Sequence, residues 1–345
     1  MTMTRFATAV STILVASALA GPAAAQETKL LFNLFLPKTY SFTTGMFVPW
    51  AKNVEKATDG RVKVEFTASS LAPPARQFDM ISKGIADVAF TVVQVLAPRV
   101  ELPQLAELPF SSPVDDAEIN SVALWRTYQK FLKPANEFKG VKVLALWTIT
   151  GNQLFNSKHP VTKIEDMKGL KLRTQPGYAA DFIASLGSVV VAAPAAQAYV
   201  LLSKGVIDGT LIGSDSVLSF KLTEFLPYAT FVPGSFYHTP AAIIMNERKF
   251  KSLSEADQKA VDSVSGEAYA HLVASIQKEL LGAEAALTKA GTKIVRPDTQ
   301  FVKQLKDAAK PLYDTWYERA KKKGVDGPAA LAYYQQQVEA LSKAK

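Results

Sequence analysis

Apolar and polar positions follow two alternating spacings along the chain, which predict strands and helices in turn. Short apolar runs predict seven strands: Lys29–Leu36, Arg61–Thr67, Ala86–Val93, Val141–Thr148, Leu170–Thr174, Val189–Ala193 and Val206–Ile212. Between them, amphipathic stretches predict five helices: Phe47–Thr58, Gln77–Lys83, Asp115–Leu132, Gly177–Leu186 and Ala195–Leu202. Strand–helix–strand units of this length are typical of parallel-rich α/β sheets.

One nine-residue phrase occurs twice and indicates two similar halves. Met80–Val88 reads MISKGIADV, and Leu201–Gly209 reads LLSKGVIDG. In each copy a helix ends at the glycine, and the strand that follows has an aspartate near its start, Asp87 or Asp208. We expect both aspartates to be structural. Two α/β lobes of related topology leave a cleft between them, where ligands commonly bind.

The C-terminal third is predicted to be helical. Ser254–Ala290 has only small or polar interruptions, Ser254 suits its start, and Gly291 follows its end. As one continuous helix it would be ~55 Å long, enough to run along both lobes. Two shorter helices are predicted over Thr299–Lys323 and Pro328–Ala344.

The N-terminal residues 1–25 are predicted to be a cleavable signal peptide. Arg5 supplies a positive charge, Phe6–Gly21 is small and apolar, and Ala23–Ala25 suits cleavage after Ala25. The apolar run is too short for a membrane span, and no later run approaches the ~18 apolar residues that a span requires. We therefore expect a periplasmic protein that is not itself anchored in the membrane.

Composition excludes several classes of function. The chain has no cysteine, which removes thiolate metal sites, disulfides, cysteine nucleophiles and a lipidated-cysteine anchor. The formal net charge is +8, but the basic residues are dispersed, and the single run Lys321–Lys323 falls late in a predicted helix, where cations suit the helix dipole. This distribution argues against a nucleic-acid partner.

No catalytic motif stands out in the chain. Metalloprotease, dinucleotide, P-loop and nucleophile-elbow patterns are missing, and the three histidines are far apart in sequence. We therefore expect neither an enzyme nor a cofactor.

Arg173, at the end of a predicted strand, has two possible interpretations: an exposed arginine at a strand edge, or a guanidinium that projects into the cleft to bind a carboxylate.

Six segments, in order, resemble the solute-binding component of tripartite ATP-independent periplasmic (TRAP) transporters, of the C4-dicarboxylate-binding type. They are KGIADVAF, ELPF at Glu107–Phe110, VLALWTITGNQLFNSKHPV, IEDMKGLKLR, AYVLLSKGVIDG and IIMNERKFKSLSEADQKAV. The resemblance runs over essentially the whole chain after the signal peptide. It implies a two-lobed periplasmic binding protein fold, a long helix along both lobes, a cleft that closes on an organic acid, and Arg173 as the residue that salt-bridges the ligand carboxylate.

With this resemblance the chain divides into two lobes. We expect lobe I to comprise residues 26–150 plus about 239–278, and lobe II to comprise residues 151–238 plus about 279–345. The implied partners are a small organic acid and the TRAP membrane permease subunits, and we expect a monomer.

Departures from the family pattern bear on the ligand. Gln153 stands where sugar-acid binders carry a second arginine, and Thr210–Gly213 replaces a Gln-Glu-Asn-Pro segment that reaches the ligand or a metal. A metal is therefore not expected. Ala195 replaces an aromatic residue and makes room. A buried dicarboxylate would leave one charge without a partner, at a cost of several kcal/mol.

The predicted site is one arginine and one glutamine among apolar walls. Its residues are Arg173, Gln153, Trp147, Ile212, Ala195, Leu36, Tyr40, Phe78, Val92, Phe236 and Tyr237. Such a pocket suits an aromatic or bulky hydrophobic monocarboxylate or 2-oxo acid, captured for a TRAP permease. Three alternatives stay open: an exported protein that reports the acid to a sensor kinase, a dicarboxylate binder, and an exported enzyme of unrecognised type.

Overall fold

The computed structural model describes residues 27–345, apart from the side chains of residues 277–281. The predicted signal peptide and its cleavage after Ala25 lie outside the described residues. Ten strands are present in the described part: β1 (Thr28–Asn33), β2 (Val62–Phe66), β3 (Val88–Val92), β4 (Val141–Asn156), β5 (Lys171–Thr174), β6 (Val189–Ala192), β7 (Gly209–Ile212), β8 (Tyr228–Thr230), β9 (Tyr237–Asn246) and β10 (Lys293–Val295).

Twelve α-helices are described between residues 27 and 345, joined by short 3₁₀ and π segments. They are α1 (Val48–Ala57), α2 (Gln77–Ser82), α3 (Ala117–Thr127), α4 (Tyr178–Ser185), α5 (Ala198–Ser203), α6 (Ser214–Ser219), α7 (Glu247–Lys251), α8 (Glu255–Ser263), α9 (Glu267–Leu272), α10 (Ala274–Lys289), α11 (Thr299–Lys322) and α12 (Gly327–Ala344). None of these helices combines the length and apolar character that a bilayer-spanning helix needs.

The strands form two sheet halves joined by β4. The hydrogen-bonded order is β2-β1-β3-β9-β4-β7-β5-β6, and β8 pairs with both β4 and β10. Val141–Asn152 of β4 pairs antiparallel with β9, whereas Gln153–Asn156 pairs with β7 and β8. We call β1, β2, β3, β9 and the first part of β4 the first half, and the remaining strands the second half.

Parallel pairing within each half confirms the α/β prediction. β1 pairs parallel with β2 and β3, and β5 pairs parallel with β6 and β7. Each half buries apolar side chains on both faces. On β9, for example, Ile243 and Met245 pack in one core cluster, while Ala242 and Ile244 pack in another on the opposite face. A strand covered on both faces reads as a continuous apolar run.

The repeated phrase builds the same corner in each half. Gly84 and Gly205 have φ of +74° and +65°, a conformation that glycine adopts without steric cost. Asp87 Oδ2 accepts the N–H of Leu31 at 2.8 Å, and Asp208 Oδ2 accepts the N–H of Lys171 at 2.9 Å. Each aspartate thus joins its corner to the neighbouring parallel strand. The prediction that both are structural is confirmed.

The predicted continuous helix over Ser254–Ala290 is wrong. The segment is divided into α8, α9 and α10, and the first break falls at Gly266, which has φ of +60°. A Cβ at Gly266 would lie 2.5 Å from Trp125 Cζ2, so the indole of α3 packs directly on this backbone. The close approach and the left-handed φ together require a glycine, and they turn the chain out of its helical path.

Two other helices contact both halves. In α10, Ile276 packs in a core cluster of the first half and Leu287 packs in one of the second. In α11, Leu305 packs in the second half, whereas Trp316 and Ala320 pack in the first. The connection along both halves is therefore made by α10 and α11 rather than by one rod. The lobe boundaries given above stay a prediction.

Candidate functional site

A cavity of about 630 Å³ lies between the two halves. Its first-half walls are the segments that follow β1 and β2, the end of β3 with the residues after it, and Ile149 of β4. Its second-half walls follow β5, β6 and α6. Ligands of open α/β sheets bind outside the carboxyl ends of the strands. The cavity is lined by Phe35, Leu36, Pro37, Tyr40, Phe42, Ser70, Leu71, Ala72, Pro73, Pro74, Phe90, Val92, Val95, Ile149, Gln175, Pro194, Ala195, Ala196, Gln197 and Phe220.

The cavity wall is aromatic and aliphatic. The rings of Tyr40 and Phe220, from opposite halves, stack with centroids 5.7 Å apart and planes inclined by 24°. Tyr40 Oη also lies 3.4 Å from Ser216 Oγ of α6. Phe42 and Phe90 pack on Trp147, which stands behind them, fully buried. Aromatic rings favour such offset or edge contacts, so the wall offers a ring-shaped surface to a guest.

Polar groups on the wall are few and uncharged. Ser70, Gln175 and Gln197 contribute the neutral polar side chains, besides the hydroxyl of Tyr40, and no charged side chain lines this cavity among the described residues. A small apolar cavity with a few polar groups is the usual form of a small-molecule site.

Arg173 lies next to the cavity without lining it. It is only 1% exposed at the centre of β5, between β6 and β7. Its Nε donates to the carbonyl of Ala193 at 2.8 Å, and its Nη1 donates to the carbonyl of Leu211 at 3.3 Å. Nη2 has no hydrogen-bond partner among the described residues. The carbonyl of Ala193 belongs to the residue before the cavity-lining Pro194, and the cavity-lining Gln175 lies two residues after Arg173 in the chain.

Burial lowers the pKa of Arg173 to about 10, while the neighbouring Tyr237 acts in the opposite direction. The guanidinium therefore keeps its positive charge near neutral pH. A buried cation without an anionic partner is costly, and an anion that paired with it would offset this cost. Of the two readings of Arg173, the exposed strand-edge residue is excluded by this burial.

Two contacts hold the loop between β5 and α4. Tyr237 Oη lies 3.0 Å from Thr174 Oγ1, and burial raises the pKa of Tyr237 to about 12. At the other end of the loop, the carboxyl group of Glu107 accepts the N–H of Ala179 at 3.1 Å. Gln175 is thus carried by a loop that is fixed on both sides, and this loop continues directly from the strand of Arg173.

Four of the predicted site residues line the cavity: Leu36, Tyr40, Val92 and Ala195. Val92 is the last residue of β3, and Leu36, Tyr40 and Ala195 lie in the segments that follow β1 and β6. Tyr237 contacts Thr174, the residue after Arg173 in β5, and Trp147 supports the wall from behind. Their contact with a ligand stays a prediction.

The other predicted residues lie elsewhere. Gln153 Oε1 accepts the N–H of Val232, and its Nε2 donates to Val232 O and Ser235 Oγ, so its amide holds a turn. Phe78 is buried in the core of the first half beside Phe138. Phe236 packs on Phe110 in the core of the second half. Ile212 is buried against the other face of that half. The structure brings none of these four to the cavity.

Several residues of the cavity were not predicted. The aromatic residues Phe35, Phe42, Phe90 and Phe220 form much of the wall, and Gln175 and Gln197 add the amides. Gln175 carried a usable signal, since it follows directly on the Leu-Arg-Thr strand end. No sequence pattern marks Phe220 as a cavity residue, because its position depends on how α6 packs against the first half.

A buried acid lies behind the wall. Asp215 Oδ1 accepts the hydroxyl of Thr150 at 3.1 Å, and burial raises the pKa of Asp215 above its ordinary value. No group of three or more histidine, cysteine, aspartate or glutamate residues suited to a metal ion occurs within the described part of the chain.

Comparison with known proteins identifies the family. Residues 32–320 match the model of the bacterial extracellular solute-binding proteins, family 7. The chain is 34% identical over 318 residues to the outer membrane transporter protein TsaT of Comamonas testosteroni, a match that covers 92% of this chain and 93% of that one. The chain belongs to family 7 of the bacterial extracellular solute-binding proteins, the solute-binding proteins of TRAP transporters.

Solved structures agree in fold. A TRAP periplasmic solute-binding protein from Bordetella bronchiseptica with bound (R)- and (S)-mandelate is 34% identical, with a TM-score of 0.87, and the match covers 91% of this chain and 99% of that one. A TRAP solute-binding protein from Rhodoferax ferrireducens with copurified benzoate is 26% identical, with a TM-score of 0.83 and coverage of 92% and 99%. The two-lobed periplasmic binding protein fold is thereby confirmed.

Proposed function

We propose that this protein is the periplasmic receptor of a TRAP transporter for aromatic or bulky hydrophobic monocarboxylates. In this proposal the carboxylate pairs with Arg173, and the hydrophobic body occupies the cavity. The observation that carries it is a buried, charged guanidinium with an unpartnered Nη2, held by the carbonyl of Ala193 directly before the cavity-lining residue Pro194. Mandelate and benzoate, bound by the two similar solved proteins, are ligands of this class.

The expected binding energy is adequate for a receptor. A charge-assisted contact to the guanidinium contributes about 1.5–3 kcal/mol. Burial of ~200 Å² of aromatic surface adds about 5 kcal/mol at ~25 cal/mol per Å². Together these approach the roughly −8 kcal/mol of a micromolar complex, before the cost of ordering the ligand is subtracted.

Dicarboxylates are expected to bind poorly. The second carboxylate would enter a wall of aromatic, aliphatic and neutral polar side chains, without a cation among the described lining residues. Its desolvation would then cost several kcal/mol without compensation. A monocarboxylate is therefore favoured over the dicarboxylate alternative.

Delivery to the membrane completes the proposal. After removal of residues 1–25, the monomeric receptor would carry its ligand to the TRAP permease subunits. The alternative of a receptor that feeds a sensor kinase uses the same cavity and the same ligands. An uptake measurement would distinguish the two alternatives. Loss of this protein should abolish uptake of the acid if the receptor serves a permease.

A thermal-shift panel tests the ligand class. We expect benzoate, mandelate and branched-chain 2-oxo acids to raise the melting temperature of the chain from Gln26 onward, because a ligand that binds only the folded state stabilises it by mass action. Succinate and malate at equal concentrations should leave the melting temperature unchanged. Stabilisation by the dicarboxylates alone would contradict the proposed class.

A further inference from the structure

Glu107 is a buried acid to which the proposed binding contacts give no role. It ends the 3₁₀ helix Leu102–Glu107, whose residues Leu102, Leu105 and Ala106 pack in the core of the first half. It begins the ELPF segment and is fully buried. A carboxyl group in such a place is costly unless it serves a contact.

The carboxyl group lies directly on the start of α4 in the second half. Its Oε1 accepts the N–H of Ala179 at 3.1 Å. A Cβ at Gly177 would lie 2.9 Å from Oε1 and 3.1 Å from Oε2, so the carboxyl group packs against bare backbone there. Gly177 also has φ of +107°, which disfavours any other residue.

This contact fixes one end of the loop that leaves β5. The other end is held by Tyr237, whose hydroxyl lies 3.0 Å from Thr174 Oγ1. We propose that Glu107 is a positioning residue of the anion site: from the first half, it fixes the second-half loop that follows the strand of Arg173 and carries Gln175. The proposal rests on the proposed function, because the anion site is defined by it.

Polar groups without hydrogen-bond partners in the described part of the chain lie around the carboxyl group of Glu107. One of them, on Gln94, belongs to a segment of the first-half wall of the cavity. Glu107 Oε2, the amide of Gln94 and the hydroxyl of Tyr178 have no hydrogen-bond partner among the described residues. Gln94 lies close to Glu107, and on its own segment it stands between the cavity-lining residues Val92 and Val95. A protonated Oε2 could donate to the Gln94 amide oxygen, which would join the two walls of the cavity through one carboxyl group.

The protonation state follows from the surroundings. Burial raises the pKa of Glu107 to about 8, against the opposing effect of the N–H of Ala179. The titratable groups that face it are Tyr178 and Asp181 on α4, Arg319 on α11 and Tyr237 on β9. Near neutral pH the carboxyl group is mostly uncharged. Above pH 8 it gains a negative charge beside the anion loop, which opposes an anionic ligand.

Two variants separate positioning from simple packing. Glu107→Gln keeps an oxygen acceptor for Ala179 and a donor toward Gln94, and it cannot ionise. Glu107→Ala removes the contact. Glu101→Gln is the control, since Glu101 instead pairs with Arg319 at 3.4 Å and with Lys323 at 3.1 Å.

The first measurement needs no ligand. Amide hydrogen exchange at pH 7 should be at least about tenfold faster over residues 174–179 in Glu107→Ala, because the loop loses an anchor, while strands β3 and β9 keep wild-type protection. Glu107→Gln should exchange as the wild type does. Unchanged exchange in Glu107→Ala would overturn the proposal, whether or not any aromatic acid binds.

The second measurement is the pH profile of benzoate binding. Between pH 6.5 and pH 9, we expect the Kd of the wild type and of Glu101→Gln to rise by about tenfold, and that of Glu107→Gln to change less than about twofold. Equal profiles for all three proteins would overturn the role of Glu107. Failure of the wild type to bind benzoate and the rest of the aromatic panel at either pH would instead overturn the proposed function.

Discussion

Replacement of Arg173 by methionine is expected to raise the Kd for benzoate by about 100-fold or more, which corresponds to about 2.7 kcal/mol. Methionine is similar in length, so it fills most of the space between β6 and β7 but offers no donor to a carboxylate. Because the arginine is a buried cation in the free protein, its removal need not lower the melting temperature much. Titration calorimetry and thermal unfolding would measure the two effects separately.

The matched control is Lys171→Met. Lys171 lies in the same strand as Arg173, but it is exposed to solvent. Its replacement removes the same formal charge, so a long-range electrostatic effect would appear in both variants. A Kd for Arg173→Met within about threefold of that for Lys171→Met would contradict the direct contact between Arg173 and the carboxylate.

Phe220→Ala is expected to raise the Kd for benzoate by about 10- to 50-fold. The change removes a ring from the cavity wall and its stacking contact with Tyr40, which is worth about 0.5–1.5 kcal/mol beyond area burial. It also removes apolar surface that a bound ring would cover. Because the stack joins opposite halves, its loss should act mainly on the dissociation rate, which stopped-flow fluorescence would measure.

Phe225→Ala serves as the matched control for this variant. Phe225 packs at the edge of the same core cluster, with its ring 5.3 Å from that of Tyr199, and it does not line the cavity. We expect its replacement to leave the Kd within about twofold of the wild type. Equal losses of affinity in the two variants would indicate general destabilisation of the second half rather than contact with the ligand.

The sequence predicts the parallel units well because each has a local signal. The strands β1, β2, β3, β5 and β6 are short apolar runs followed by turns, and the repeated corners carry a glycine and an aspartate with defined roles. No strand was predicted over Tyr237–Asn246, although β9 joins β3 to β4. Every residue of β9 is buried, so no polar alternation marks it, and Pro240 argues against a strand.

The break in the predicted long helix depends on a tertiary contact. Ser265 and Gly266 interrupt the helical pattern only mildly, and small residues are tolerated in helices at a modest cost. The indole of Trp125, about 140 positions earlier in the chain, packs against Gly266 and selects the non-helical backbone. The local pattern of apolar and polar residues cannot predict a contact between residues so far apart in the chain.

The same limit applies to the site. Residues at or shortly after strand ends, such as Leu36 and Val92, could be predicted because the topology brings these ends to the cleft, whereas Ala195 was predicted from the family resemblance. The sequence could not separate the aromatic residues that line the cavity from those that pack in a core. Phe78 and Phe220 have similar local patterns, yet one packs in a core and the other lines the cavity. The resemblance predicts Gln153 as a ligand-binding residue, but in the structure its amide makes hydrogen bonds with Val232 in a turn.

Calorimetric titration of the purified chain, from Gln26 onward, with benzoate, benzyl alcohol and succinate at pH 7 tests the central claim most directly. Benzyl alcohol keeps the ring without the charge, and succinate keeps a carboxylate but adds a second one. We expect micromolar binding of benzoate and binding weaker by at least about 100-fold for the other two. Tighter binding of succinate than of benzoate, or equal binding of benzoate and benzyl alcohol, would contradict the central claim.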